Sequence, residues 1–412
     1  MPHILTCFVL FLAPVTAQDL IYSLAHDIPG LAHDLKKHEL HRLRPGGGTA
    51  PFVPLEAWRV LLGDRNGNGI YDDEPSDINA LHIRSTGGGL ASWLMSTSVT
   101  IPLAGGTCLK DGDVFAFDGH GGVDVVYSES FFEVATQTTA IDIDAFAEGP
   151  GGALWFSFAD DEFTASPALT AQNGGAPSID EQTVFRLDPA ATEAVIAFTK
   201  TQVVQIFNQA AGTGAASVVD VCGLASDPAN PGHLLLSSRS VSSSFQGRVV
   251  TTAGGGSTWL VGGQPVGPAL FGLSAAPTLD ALSLSVESPH PVLRVDPAGG
   301  SSAAGGLGHC EVRDLVPGEV VQLVVSNPRL PGPFAWQTPN VLGFVTVFPD
   351  PMDPSTWASF NVPQWHMVAN ANGVADYTWN WNGLAPGMAF LGQGFRISTG
   401  EATSPGIVTV AP

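Results

Sequence analysis

The sequence predicts an all-β protein, an irregular β-propeller-like repeat domain followed by a C-terminal β-sandwich. Three observations carry this. Gly (48) and Pro (32) are abundant while only 13% of residues are charged, a mixture suited to many short strands joined by turns. A strand opening on Asp or Asn recurs at Asn79-Ala80-Leu81, Asp144-Ala145-Phe146, Asp220-Val221-Cys222-Gly223-Leu224 and Asp280-Ala281-Leu282. Downstream of the first three copies an apolar strand closes on serine: Trp93-Leu94-Met95-Ser96, Leu154-Trp155-Phe156-Ser157 and Leu234-Leu235-Leu236-Ser237. Units of this kind cannot cover both faces of a small sheet alone, so they must stack radially, as in a propeller, or in a row, as in an elongated β array; the propeller is the first expectation and the array the alternative.

In chain order, residues 1–17 read as a cleaved signal peptide, with the apolar run ILTCFVLFLAPV ending at Val15-Thr16-Ala17. Export places the mature chain outside the cytoplasm, secreted or at the cell surface. No later apolar run is long enough to predict a membrane span. Residues 18–297 form the repeat domain. Its first strand, Leu20-Ile21-Tyr22-Ser23, looks like an earlier copy of the serine-closing type. The stretch from Gly30 to Arg44 is the best helix candidate, ending at Pro45 and three glycines, and is expected to be exposed and basic.

The run DRNGNGIYDDE from Asp64 to Glu74 is the clearest site motif. Counted as a calcium loop, Asp64, Asn66, Asn68, the Ile70 carbonyl and Asp72 fall at ligand positions, with Gly69 at the sharp turn. Asp73, Glu74 and Asp77 stand near Pro75, which occupies the place of the usual bidentate Glu. The expected cofactor is a structural Ca2+ that braces a loop leading into a strand. Two Asn ligands in place of Asp reduce the ligand charge and favour extracellular affinities, with Kd of about 0.1 to 1 mM.

A third strand type, Val114-Phe115-Ala116-Phe117 and Val184-Phe185-Arg186-Leu187, has a relative at Val292-Leu293-Arg294-Val295. Residues 298–308, AGGSSAAGGLG, read as a Gly/Ser/Ala-rich linker. Residues 309–412 then supply alternating segments separated by turns such as Asn372-Gly373, as expected of a sandwich. This last part holds Trp336, Trp357, Trp365, Trp379 and Trp381, a set that could pack a core or present a platform to sugar rings.

Charge narrows the partners. With 38 acidic against 16 basic residues the net charge is −22, which disfavours nucleic acid and anionic membranes and favours cationic partners. Cys108, Cys222 and Cys310 are too few and too widely spaced for a zinc knuckle or a redox pair. Paired carboxylates for hydrolysis could come from Asp142 with Asp144, or from Asp160, Asp161 and Glu162. His38-Glu39-Leu40-His41 lacks the spacing of a zinc protease helix, and Asp118-Gly119-His120-Gly121-Gly122 reads as a hairpin turn.

The strands above, the DRNGNGIYDDEPSDINALHI stretch and the C-terminal ANANGVADYTWNW and GLAPGMAFLGQGF segments resemble large groups of secreted proteins of environmental bacteria such as planctomycetes. The resemblance spans nearly the whole chain. It implies secretion and β structure and transfers no catalytic residue. Locally, GPGGALWFS from Gly149 to Ser157 is similar to the G-P-D-G-x-L-W-F-T blade motif of lyase and lactonase propellers, with Gly151 where that family has Asp. The leading expectation is a secreted, non-catalytic, calcium-stabilised repeat protein for extracellular binding or surface structure, whose partner is an extracellular protein or polysaccharide. A propeller-type lyase or hydrolase acting on an extracellular polymer, and a carbohydrate-binding protein using the C-terminal tryptophans, are the alternatives.

Overall fold

The structure is a computed structural model that describes residues 19–28, 35–44, 47–53, 58, 78–84, 93–102, 108–117, 123–139, 141–212, 219–239, 245–261, 264–266, 268–271, 273, 277–285, 292–296, 301–303, 307–313, 315–326, 366–380, 389–399, 403 and 406–411. It is mostly strand, as expected. Four antiparallel sheets of four strands hold most of residues 19–285. In the second sheet Ile78–Ile83 pairs with Trp93–Thr97, then Val114–Phe117, then Val123–Tyr127. The third runs Ile143–Glu148, Leu154–Phe158, Val184–Leu187, Val195–Phe198, and the fourth Val221–Ser226, Leu234–Ser238, Val250–Thr251, Ser257–Thr258.

The first sheet is assembled from both ends of this region. Leu279–Ser285 pairs with Asp19–Leu24, which continues to Leu40–Leu43 and Thr49–Val53. Leu20-Ile21-Tyr22-Ser23 therefore supplies the serine-closing strand that the copy at Asp280 lacks downstream.

The leading strands of the four sheets, here called inner strands, pack in cyclic succession: Ile78–Ile83 on Ile143–Glu148, that on Val221–Ser226, that on Leu279–Ser285, and that back on Ile78–Ile83. Period-2 alternation along each strand feeds the two cores on either side of it. Ile21 joins Leu81, Trp93 and Phe115 between the first and second sheets, whereas Leu20 and Tyr22 join Leu235, Leu279 and Leu282 between the fourth and first. Phe146, Phe156 and Phe185 fill the space between second and third sheets, and Trp155, Phe207, Val221 and Leu236 that between third and fourth.

Helices are brief and lie in the connections. Glu129–Thr136 is capped by Ser128, whose hydroxyl accepts from the Phe131 amide at 3.3 Å. Lys200–Ala211 carries a Thr199/Gln202 capping box and stops at Gly212 with φ +66°.

The candidate helix from Gly30 to Arg44 is a different structure where it is described. Leu35 bridges to Ile28 and Leu40–Leu43 is a strand. Tertiary pairing on both sides overrides the helical propensity of this stretch. His41 and Arg42, expected on an exposed surface, are 0% and 2% exposed; Arg42 meets Asp19 at 2.6 Å and lies over the Phe52 ring.

Val292–Asp296, expected as a repeat strand, instead pairs with Leu307–Arg313, which pairs with Ala375–Asn380. A second C-terminal sheet runs Ser301–Ala303, Gly406–Ala411, Ala389–Arg396, Val320–Ser326, His366–Val368. The Gly/Ser/Ala-rich run from 298 to 308 thus contains strand Ser301–Ala303 and the start of Leu307–Arg313. Small residues suit the close approach of these sheets. A Cβ on Gly394 would stand 2.8 Å from Val321 Cγ1 and 3.4 Å from Val312 Cγ2, side chains of the two different sheets.

Candidate functional site at the junction of the inner strands

Each inner strand carries one extra residue against its partner, at the same place. The register steps from Ile78 to Ala80, Ile143 to Ala145 and Val221 to Gly223 while the partner advances by one, and between Leu279 and Leu282 the inner strand again gains one. A bulge of this kind breaks the alternation and re-aims one side chain. Ile143 and Phe146 therefore face the same core although three residues apart, and Leu279 and Leu282 do likewise. The residues left over, Asn79, Asp144, Cys222 and Asp280, are all buried where the four inner strands meet.

The serines explain themselves here. Ser23 accepts from the Ala281 amide beside the bulge at 2.8 Å and donates to the Ile78 carbonyl of the next sheet at 2.8 Å. Ser157 donates to Val221 O at 2.9 Å in the same sense, and the Cys222 thiol reaches Leu279 O at 2.7 Å. Ser96 departs from the pattern and bonds Asp111 O. A small hydroxyl is what fits a fully buried position that must reach two backbones.

Arg239 follows the second strand of the fourth sheet and crosses the junction. Its Nε bonds Asp280 Oδ1 at 2.6 Å and its Nη2 bonds Asp144 Oδ1, so one guanidinium ties the inner strands of the first and third sheets, which lie opposite each other. Both aspartates are 0% exposed. Burial works against the cation, but Asp144 and Asp280 more than compensate and raise the Arg239 pKa. Just outside, Asp142 and Asp220 precede the inner strands of the third and fourth sheets and are half-buried. Asn79 Nδ2 approaches Asp142 Oδ1 at 3.5 Å.

Among the described residues Arg239 is the cation these carboxylates share, and that leaves an acidic surplus. Burial, with Asp111 and Asp160 nearby, lifts Asp142 to about 7 against the pull of Arg239. Burial, with Glu181, Asp280 and Asp160, lifts Asp220 to about 7 as well. Asp144 is raised by burial despite Arg239, with Asp220, Asp280 and Asp142 adding to the rise. Asp144 Oδ2, Asp220 Oδ1 and Asn79 Oδ1 are buried without a hydrogen-bond partner. Further out, Asp160 and Asp161 are exposed, Asp161 accepts from the Glu181 amide at 2.9 Å, and Glu162 and Glu181 are both raised, first by burial and then by neighbouring acids.

The structure therefore brings Asp142 and Asp144 together with acids from two other sheets, and sets Asp160 and Asp161 on the turn after Leu154–Phe158 and Glu162 at the start of the short strand Glu162–Phe163. Sequence reading missed Arg239, and it aligned the wrong residue in the fourth unit. Cys222, not Asp220, is the equivalent of Asn79, Asp144 and Asp280, while Asp220 corresponds to Asp142. A repeat alignment anchored on the serines would have found this.

At the opposite end of the same strands, Arg84 grips Glu148 with two bonds, at 2.8 and 2.5 Å, and Tyr127 donates to Glu148 at 2.8 Å. His82 beside them is pushed down to about 4, chiefly by burial. His41 packs on the Tyr22 ring and bonds Lys36 O at 3.0 Å. Among the described residues no group of three or more His, Cys, Asp or Glu is arranged to hold a metal ion. The expected calcium ligands Asp64, Asn66, Asn68, Ile70, Asp72, Asp73 and Glu74 lie outside the described residues, as do Trp336, Trp357, Trp365 and Trp381. Trp379 lies in the strand Ala375–Asn380, paired with Gly308.

Among the described residues the three cysteines are unpaired: Cys108 is exposed, and Cys222 and Cys310 are buried. Burial raises both inner thiols, Cys310 to about 12, and makes them poor nucleophiles. Among the described residues no helix is long and apolar enough to cross a membrane. No family model matches the chain, and no curated protein matches it.

Proposed function

We propose that the four sheets are the blades of a four-bladed β-propeller, that a β-sandwich follows it, and that the chain is a secreted, non-catalytic, calcium-stabilised binding protein. The cyclic packing of the inner strands supports the propeller, and four cores alternating with four sheets support it further. The observation that carries the binding reading is the division of the acids. Asp144 and Asp280 are sealed under Arg239 and hold the junction, whereas Asp160, Asp161, Glu162 and Glu181 form an outer acidic rim. With a net charge of −22, that rim suits a cationic extracellular protein or polysaccharide.

Chitosan oligomers and poly-lysine serve as probes, titrated calorimetrically at pH 6 and low salt. Binding is expected, weakening about tenfold or more in the triple variant Asp160→Asn, Asp161→Asn, Glu181→Gln and falling with added salt. Heat signals that ignore both changes would sink the reading. A second reading, a lyase or hydrolase, is favoured by Asp142 and Asp220, two carboxylates from different sheets held near neutrality as a general acid or base requires. Cleavage of a neutral or acidic polysaccharide by the wild type, lost in Asp142→Asn, would replace the first reading by this one.

Calcium has its own test. At ten times its Kd the ion stabilises by about 1.4 kcal/mol, which raises Tm by about 3 to 6 °C. The rise is expected at millimolar calcium and is expected to vanish in Asp64→Ala; equal shifts in both proteins would remove the loop from the calcium reading.

A further inference from the structure

We propose that the junction is a proton-operated lock: among the described residues one guanidinium serves four buried or half-buried carboxylates from three sheets, and protons taken up by that surplus hold the inner strands together at mildly acidic pH. Asp142 and Asp144 come from the third sheet, Asp220 from the fourth and Asp280 from the first, with Arg239 as the cation among them. The other titratable or charged groups that face them are Asp111 of the second sheet, Asp160 and Glu181 of the third, and the Cys222 thiol of the fourth. Lys200, whose charge reaches Glu181, is engaged with Asp180 at 2.9 Å.

Geometry makes the surplus consequential. Arg239 spends its Nε and Nη2 on Asp280 Oδ1 and Asp144 Oδ1, and leaves Asp144 Oδ2 and Asp220 Oδ1 buried without partners. A proton on either oxygen removes one uncompensated charge from a site that water screens only in part. With the protons gone, like charges from the three sheets repel across a short span, against the pull of Arg239. The lock therefore closes as pH falls below neutrality and loosens as pH rises through it.

The sign follows from linkage. A carboxyl whose pKa is raised on folding contributes stability that is complete below its unfolded value, near 4, and is lost as pH rises to its folded value, here about 7 for Asp142 and Asp220. His82, pushed down to about 4, acts in the opposite sense, losing stability as pH falls from about 6.5. The comparison is therefore made at pH 6 to 8.5, between wild type and Asp142→Asn/Asp220→Asn, so that His82 contributes equally to both.

Denaturant unfolding of the ligand-free, calcium-loaded chain is expected to show the unfolding constant rising about tenfold or more from pH 6 to 8 in wild type and less than about threefold in the double variant. The variant is expected to be the more stable of the two at pH 8. Local opening is read separately, by alkylation of Cys222 in a Cys108→Ser background at pH 8, where the double variant should react about tenfold more slowly. A wild-type unfolding constant that is flat over this range, or a pH dependence and Cys222 reactivity unchanged by the double substitution, overturns the proposal. Because no ligand is present, failure of the binding reading leaves these outcomes untouched.

Discussion

Replacing Arg239 by methionine destabilises the protein by about 3 kcal/mol at pH 8, and by clearly less at pH 5. The side chain is 30% exposed, but its partners Asp144 and Asp280 are fully buried, and removing one member of such a group strands the others without compensation. At pH 5 the stranded carboxyls can neutralise themselves by taking up protons, which limits the loss. Lysine at the same position keeps the charge and loses the fork, so Arg239→Lys should hold one aspartate and recover only part of the difference. Urea unfolding at the two pH values measures both effects. A methionine variant within about 0.5 kcal/mol of wild type at pH 8 would show that the guanidinium holds nothing together.

Deleting Asp19–Leu24 abolishes the fold of the four-sheet region. Leu20, Ile21, Tyr22, Ser23 and Leu24 are each 0% exposed, and the apolar side chains contribute roughly 1.5 to 3 kcal/mol apiece by burial. Their sum rivals the 5 to 15 kcal/mol that separates folded from unfolded domains. The deletion also strips Leu279–Ser285 of its partner and removes Ser23, which bonds both Ala281 N and Ile78 O. Loss of the cooperative melt is the expected result. A synthetic peptide DLIYSL added in excess should restore part of it, because the vacated edge offers the same register. A deleted chain that still melts cooperatively near the wild-type temperature would show that this strand is dispensable.

Much of the strand content was legible because the sequence repeats it. The runs Asn79-Ala80-Leu81 and Trp93-Leu94-Met95-Ser96 each announced a strand of the second sheet, and the copies at Asp144 and Leu154 did the same for the third. Two orphans stood at either end, a serine-closing strand at Leu20 and an Asp-opening strand at Asp280, and their mutual pairing follows once the units are asked to share neighbours. The bulges were hidden, since an extra residue leaves no mark on composition. That concealment misplaced Asp220 by two positions. Arg239 was hidden for another reason: one basic residue at the end of a strand has the same appearance in sequence whether it meets water or two buried aspartates.

Gly30 to Arg44 failed as a helix because intrinsic preference is weak against pairing on both sides. Leu40 and Leu43 fit a helical face as well as they fit a strand, and only the burial of His41 and Arg42 distinguishes the two. Val292–Asp296 was misassigned by likeness alone, for it matches Val184–Leu187 in sequence and pairs elsewhere in space.

The joining of residue 19 to residue 285 in one sheet has a consequence for how the chain comes into being. At about 5 to 20 residues per second, the ribosome delivers the second of these partners roughly 13 to 53 s after the first. For that interval the amino-terminal strand is paired on one edge alone, with Leu40–Leu43, and the core between the first and fourth sheets lacks Leu279 and Leu282. The core around Phe146, Phe156 and Phe185 draws on residues between Ala80 and Ile196, all of which are in place well before the seam can form. The four-sheet region can therefore close only after residue 285 has left the ribosome, so a chain cut short before that point cannot complete its first sheet.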